Sequence, residues 1–237
     1  GRYVCGPDVD TGPAHLERLR AVTTHVNPPE NDAGLSTARG VLSALRGALV
    51  DRRGSRQFEG LRVGIEGLGS VGSAVAQTLL DEGAQVFGFD VDPVRLRRAE
   101  SLGVHSAVSG EALRDIMVDV WMPCALGASV DRALVDGTSA DVICGSANNQ
   151  LAEPEVDEAL FAAGIAWVPD VLANVGAVAE GVITVSAGQG PKARGRVDAC
   201  LERVESSCRE LLARAREAGR PTGAAALEMA KARLAKD

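Results

Sequence analysis

Lysine is nearly missing from this chain. Of 25 basic residues only Lys192, Lys231 and Lys236 are lysines, and all lie beyond residue 190. The arginines that make up the rest are interspersed with 32 acidic residues, for a formal charge of -7. A surface built to hold nucleic acid is therefore excluded as an expectation, since such surfaces concentrate positive charge. Histidine occurs only at His15, His25 and His105, and the five cysteines (Cys5, Cys124, Cys144, Cys200, Cys208) never fall in a C-x-x-C pair. No metal site is expected from that spacing, and the thiols are expected to be reduced and mostly buried, as small hydrophobes. Aromatic residues are only 3% of the chain, and no apolar run approaches the roughly 20 residues of a membrane span. Nor does a charged segment precede an apolar one as in a secretory leader, so a cytoplasmic location is expected, with no membrane partner.

What is present is a globular composition: 237 residues, 46% of them hydrophobic, enough for one large domain or one domain with appendages. From residue 61 onward, short β-type apolar runs alternate with helical patterns and turns rich in small residues. Strands are predicted over residues 61–66, 84–89, 118–122, 142–144 and 166–168, with a weaker one near Ala107. Helices are predicted over 70–82, ending at Gly83, and from Asp92-Pro93 to Gly103, where the aspartate caps and the proline fits the first turn. Such alternation specifies an α/β fold with βαβ units stacked on a mostly parallel, doubly wound sheet, of expected strand order 3-2-1-4-5-6. A further helix is predicted over 35–50, followed by a solvated connector at 51–57. Residues 188–196, rich in Gly, Pro and basic side chains, read as an exposed loop. An amphipathic helix begins at Val197 and breaks at Gly219 and Pro221 before a last helix.

Residues 61–72 read LRVGIEGLGSVG, so Gly67, Gly69 and Gly72 form G-x-G-x-x-G between a strand and a helix. In that context Gly67 permits a tight turn, Gly69 leaves space for a pyrophosphate, and Gly72 lets helix and strand pack closely. Ser70 and Val71 open the helix, whose free N–H groups attract phosphate. The next strand ends in Asp90, 21 residues beyond Gly69, placed to accept hydrogen bonds from an adenosine ribose. A carboxylate there repels a 2'-phosphate, so NAD is expected over NADP; Arg95, Arg97 and Arg98 moderate that preference. Glu66, beside the phosphate loop, has no assigned role.

Six strings then become recognisable in order, the glycine fingerprint among them: GRYVCGPDV, STARGV, the fingerprint, PCALGA, GSANNQL and PDVLANVGAV. Together they resemble the C-terminal part of the Glu/Leu/Phe/Val amino-acid dehydrogenases, the leucine and phenylalanine enzymes above all, over essentially the whole chain. The resemblance implies oxidation of an L-amino acid at Cα, hydride transfer to NAD, and hydrolysis of the imine to a 2-oxo acid and ammonia. It implies that Thr37, Asn148 and Asn174 surround the nicotinamide end, and that the small residues near Cys124, Ala125 and Ala147 admit a ribose and nicotinamide. Asp8, in the GPDVDT segment, matches an aspartate that assists proton transfer. Val178, Glu180 and Gly181 fall where the family shapes its substrate pocket, Gly181 enlarging it and Glu180 facing a cationic substrate group.

The family's catalytic lysines, carried on a glycine-rich segment of an N-terminal substrate domain, have no counterpart here. The chain is thus expected to be the later part of a longer polypeptide: residues 1–30 a remnant of the substrate domain, 31–218 the dinucleotide-binding unit, 219–237 a helix returning toward the missing domain. It is expected to work as a homo-oligomer or beside a partner chain that carries that domain. A non-catalytic NAD-binding subunit or sensor, or a different NAD-linked reductase, are the alternative readings.

Overall fold

The structure is a computed structural model that describes residues 3–8 and 11–235; Lys236 lies outside the described residues. In chain order the elements are α1 (Pro13–Arg20), α2 (Ala33–Arg53), β1 (Arg62–Glu66), α3 (Ser70–Asp81), β2 (Gln85–Phe89), α4 (Pro93–Leu102), β3 (His105–Ser106) and α5 (Gly110–Arg114). They continue as β4 (Val120–Pro123), α6 (Arg132–Gly137), β5 (Val142–Ile143), α7 (Glu155–Ala162), β6 (Ala166–Trp167), α8 (Asp170–Ala173), α9 (Gly176–Ala187), α10 (Pro191–Ala218) and α11 (Thr222–Leu234).

All six strands run parallel in the order β3-β2-β1-β4-β5-β6, as expected. The central strands are apolar on both faces because helices cover both. Val120, Met122, Val142 and Ala166 face the core shared with α2, α3 and α10, whereas Trp121, Ile143 and Trp167 face the core of α5, α6 and α7. The strand order reverses direction between β1 and β4, where a crevice opens at the carboxyl ends of the strands and ligands of such sheets bind.

Two sequence expectations change. The region 188–196 is not all loop, because α10 starts at Pro191. Pro191 occupies the first helical turn, where its missing N–H costs nothing, and Gly190, at φ 116°, supplies the turn into it. Ala193 and Val197 then begin the buried stripe that runs on through Leu201, Val204, Cys208, Leu211, Leu212 and Ala215. The segment 51–57 is likewise not wholly a connector, since α2 runs to Arg53 and its last turn is anchored by ion pairs. Asp51 accepts from Arg216 at 2.8 Å, and Arg53 reaches Asp119 at 2.9 Å and Asp141 at 3.1 Å. These pairs tie α2 to α10 and to the amino-terminal edge of the sheet.

The thiols are as expected in part: Cys144 and Cys208 are buried, the other three half-buried, and all are free. Burial pushes the Cys208 thiol well above the usual range. No helix among the described residues is long and apolar enough to cross a membrane, and no cluster of His, Cys, Asp and Glu among them could hold a metal ion. Val22, Leu227 and Leu234 are exposed near the two ends, and Val171, Val178 and Val182 are exposed on α8 and α9.

Candidate functional site

The fingerprint turn is held by close backbone approach. Gly67 has φ 94°, and a Cβ there would lie 2.6 Å from the Ala125 nitrogen, so residue 67 must be glycine on both conformational and steric grounds. A Cβ on Gly72 would lie 2.0 Å from the Gly67 carbonyl oxygen. Gly69 differs: its Cβ would meet nothing closer than Arg95 Nη1 at 3.8 Å, so this face is open. The helix behind it, α3, has no side-chain cap, and the first N–H groups of a helix lack intrahelical acceptors. Ser70 and Val71 thus bring uncapped donors and a partial positive charge to an open surface, a cradle that suits an anion.

Asp90 sits beside this cradle, its side chain 5% exposed. Its Oδ2 accepts from the Leu68 N–H at 2.8 Å and its Oδ1 from the Asp92 N–H at 2.8 Å. The carboxylate therefore holds the fingerprint turn against the β2–α4 turn, a duty not foreseen in the sequence. Each carboxylate oxygen has a second lone pair, so two further hydroxyl donors can still be accepted. Arg95 flanks it, Nη1 at 3.9 Å from Asp90 and Nε at 3.5 Å from Asp92.

On the other side of the crevice two loops run together. Cys124 donates its N–H to Glu66 at 2.8 Å, Ala147 to Pro123 at 2.9 Å, Ala128 to Asn149 at 2.8 Å, and Val130 to Gln150 at 2.9 Å. Ala125 is exposed, Ala147 buried and Cys124 half-buried, and burial raises the pKa of the Cys124 thiol despite its contact with Ser146. Asn174 Nδ2 donates to Asn148 Oδ1 at 2.7 Å and to the Ser146 carbonyl at 3.2 Å. That pairing directs the carboxamide of Asn148 and leaves its own N–H donors for another acceptor. Asp170, not singled out beforehand although it lies in the PDVLANVGAV string, accepts from the Asn149 N–H at 2.8 Å.

The amino-terminal turn of α2 joins these loops. A Cβ on Gly176 would lie 1.8 Å from the Ser36 carbonyl oxygen, so α2 and α9 meet backbone to backbone and Thr37 is buried at their junction. Asn174 sits between α8 and α9, just ahead of that contact. Thr37, Asn148 and Asn174 thereby belong to elements that meet at one end of the sheet.

Asp8 stands differently. It is exposed, in a turn closed by the Thr11 N–H donating to its carbonyl at 2.9 Å. Its segment is laced to the rest by Cys5 donating to His25 and Asn27 donating to Cys5, and by Asn31, whose side chain donates to Thr184 on α9 at 2.9 Å. The three substrate-pocket residues do not share a face. Successive helical residues turn by about 100°, so Glu180 leaves α9 on the side nearly opposite Val178. Glu180 lines a groove of about 340 Å³ with Asp32, Ser36, Arg39 and Thr184, while Val178 is exposed and a Cβ on Gly181 would face Asn27. One Glu180 carboxylate oxygen is buried without a partner, and burial raises its pKa despite the Ser36 hydroxyl and Arg39. Glu180 and Val178 thus point to different sides of α9, so one substrate group would not meet both.

Glu66, the unassigned carboxyl, is half-buried below the fingerprint, and its buried Oε2 has no hydrogen-bond partner. Burial pushes its pKa up; the Arg114 guanidinium and Ser129 hydroxyl pull the other way, and Asp131 adds to the rise. An acid whose folded pKa exceeds its unfolded value stabilises the fold fully below the unfolded value, and that contribution is lost as pH rises through the folded one. Glu66→Gln should therefore melt progressively higher than the parent chain as pH is raised from about 5 to 8. A constant difference in melting temperature across that range would contradict the assignment.

The fold and crevice define a dinucleotide-binding α/β protein of the doubly wound class. The chain belongs to the Glutamate/Leucine/Phenylalanine/Valine dehydrogenase family, which matches it over residues 95–237. Valine dehydrogenase of Streptomyces virginiae is 34% identical over 99% of this chain and 67% of its own length, and leucine dehydrogenase of Geobacillus stearothermophilus is 31% identical over 99% and 64%. Among solved structures, that of L-tryptophan dehydrogenase from Nostoc punctiforme superposes with a TM-score of 0.84 at 28% identity, covering the whole chain and 68% of its own. The chain thus spans about two thirds of the length of these dehydrogenases, which includes the fingerprint that precedes the family match.

Proposed function

We propose that this chain is the dinucleotide-binding part of an NAD-dependent dehydrogenase that converts an L-amino acid to a 2-oxo acid and ammonia. The observation that carries the reading is convergence. The open phosphate cradle at Gly69, the carboxylate of Asp90 and the Asn148–Asn174 amide pair lie along one edge of the sheet, in the sequence a dinucleotide needs: phosphates in the middle, a ribose at each end. When bound, the nicotinamide supplies the hydride acceptor.

The first-turn N–H groups of Ser70, Val71 and Gly72 hold the pyrophosphate, and Asp90 accepts from the adenosine ribose. The free N–H of Asn148, steadied by Asn174, donates to the second ribose or to the carboxamide, with Thr37 nearby and Ala125 and Ala147 lining the approach. Val178 and Gly181 shape the region of the substrate side chain, and Asp8 is the acid/base candidate within this chain. Substrate carboxylate binding and amine deprotonation are assigned to lysines of a substrate domain carried elsewhere on the polypeptide or on a partner chain, in a homo-oligomer or a mixed one. Residues 1–30 and 219–237 would border that domain, with 31–218 as the nucleotide unit.

A second reading has one observation behind it: the two described lysines, Lys192 and Lys231, lie on α10 and α11, and neither belongs to the crevice loops. In that reading the protein binds NAD as a sensor or subunit without turning over. Calorimetry should show NAD binding at least about tenfold tighter than NADP, a difference of about 1.4 kcal/mol. Reduction of NAD by the full-length polypeptide with alkyl, aromatic and basic amino acids then separates the two. Binding with no turnover on any of them favours the sensor, and absence of dinucleotide binding removes both.

A further inference from the structure

The most completely buried polar side chain near the crevice is one to which no role has yet been given. Gln150 is 0% exposed. Its Nε2 donates to the Gly145 carbonyl at 2.9 Å, and its Oε1 accepts from the Trp167 indole at 3.0 Å. Gly145 begins the loop that follows β5, Gln150 ends it, and Trp167 lies on the neighbouring strand β6. One carboxamide therefore closes the loop on its own start and fastens it to the sheet. The Gln150 backbone carbonyl accepts from Val130 at 2.9 Å, so the companion loop is fastened through the same residue. The segment so closed includes Asn149 at φ 50°, a left-handed conformation that asparagine adopts more readily than most L residues. It also carries Ala147 and Asn148.

We propose that Gln150 is the positioning residue for the nicotinamide end of the dinucleotide, fixing Asn148 and Ala147 through the Gly145–Gln150–Trp167 clamp. This rests on the NAD reading above. The clamp has a polarity that makes it testable, because the group facing Gly145 must donate and the group facing Trp167 must accept. A glutamate keeps the shape and the acceptor, but it donates to Gly145 only when protonated. Ionised, it sets a carboxylate oxygen against a carbonyl oxygen inside the protein, and burial raises the pKa of such an acid.

The experiment uses the full-length polypeptide, with dinucleotide affinity measured between pH 5.5 and 8 and kcat and KM for NAD measured separately. Gln150→Glu should bind NAD at least about tenfold more weakly at pH 8, about 1.4 kcal/mol, and recover most of that loss at pH 5.5, relative to the parent protein at each pH. Its kcat at saturating NAD should change less than its KM. Trp167→Phe, which deletes one half of the clamp and keeps the ring, covers the case in which the glutamate variant does not fold; it should raise KM for NAD about threefold with kcat nearly unchanged. A purely structural role would lower melting temperature without the acid recovery or the split between KM and kcat, and that result overturns the proposal. Failure of the parent protein to bind NAD at any pH overturns instead the reading on which it rests.

Discussion

One methyl group at residue 72 is expected to cost the chain both stability and its dinucleotide. In Gly72→Ala the new Cβ would lie 2.0 Å from the Gly67 carbonyl oxygen and 3.0 Å from its carbon. Gly67 has little room to retreat: its N–H donates to the Phe89 carbonyl at 2.8 Å, and Ala125 fills the space where its Cβ would stand. The helix must move instead, by about 1 Å if ordinary contact is to be restored. But α3 is packed through Val75, Ala76 and Leu79, each 0% exposed, so any shift opens gaps in the main core. Overpacking of this kind costs about 1 to 3 kcal/mol, and in a domain of this size each kcal/mol lowers the melting temperature by about 2 to 4 °C. The shift also displaces the first-turn N–H donors of the anion cradle, so NAD binding should weaken as well. Gly69→Ala is the informative partner. Residue 69 has φ -68° and open space where the methyl would go, so its melting temperature should match the parent while NAD binding falls. NAD binding by Gly69→Ala equal to that of the parent would mean that Gly69 does not face the dinucleotide.

The same contrast shows which parts of the molecule were legible in advance. The strands could be read because a strand buried on both faces is continuously apolar, and Val63, Ile65, Val120 and Val142 left little ambiguity. The glycine fingerprint could be read because backbone approach admits only one residue type. Residues whose role depends on what surrounds them could not. Gln150 looks like any polar loop residue until Gly145 and Trp167 are seen on either side of it. Glu180 could be named from its place in the segment after PDVLANVGAV, but its groove with Asp32, Ser36 and Arg39 could not. The start of α10 was hidden because Pro191 and Gly195 read as breakers, although proline is at home in a first helical turn and the stripe from Ala193 to Ala215 outweighs one glycine. Asp90 could be singled out by its place at the end of β2, but its bonds to Leu68 and Asp92 could be seen only once the two turns were brought together.

Those bonds make Asp90 the residue whose loss should change cofactor choice most. Asp90→Ala removes the acceptor of two backbone N–H groups at 2.8 Å, one of them on buried Leu68. A hydrogen bond to a charged group contributes about 1.5 to 3 kcal/mol, so a loss of about 2 to 4 kcal/mol is expected after the turn relaxes. If Asp90 is the ribose acceptor proposed above, NAD should bind about a hundredfold more weakly, the equivalent of about 2.7 kcal/mol. NADP should lose less, because the repulsion between carboxylate and 2'-phosphate disappears while Arg95, 57% exposed and now without the carboxylate at 3.9 Å, is available to the phosphate. The NAD to NADP affinity ratio should therefore fall at least about tenfold, or about 1.4 kcal/mol. Asp90→Asn separates the two duties. Its oxygen can still accept from one of the N–H groups, so it should keep about half of the lost stability, but without the charge its cofactor ratio should fall nearly as far as that of the alanine variant. If both variants retain the parent ratio while losing stability in that order, Asp90 serves only to join the two turns and does not select between the dinucleotides.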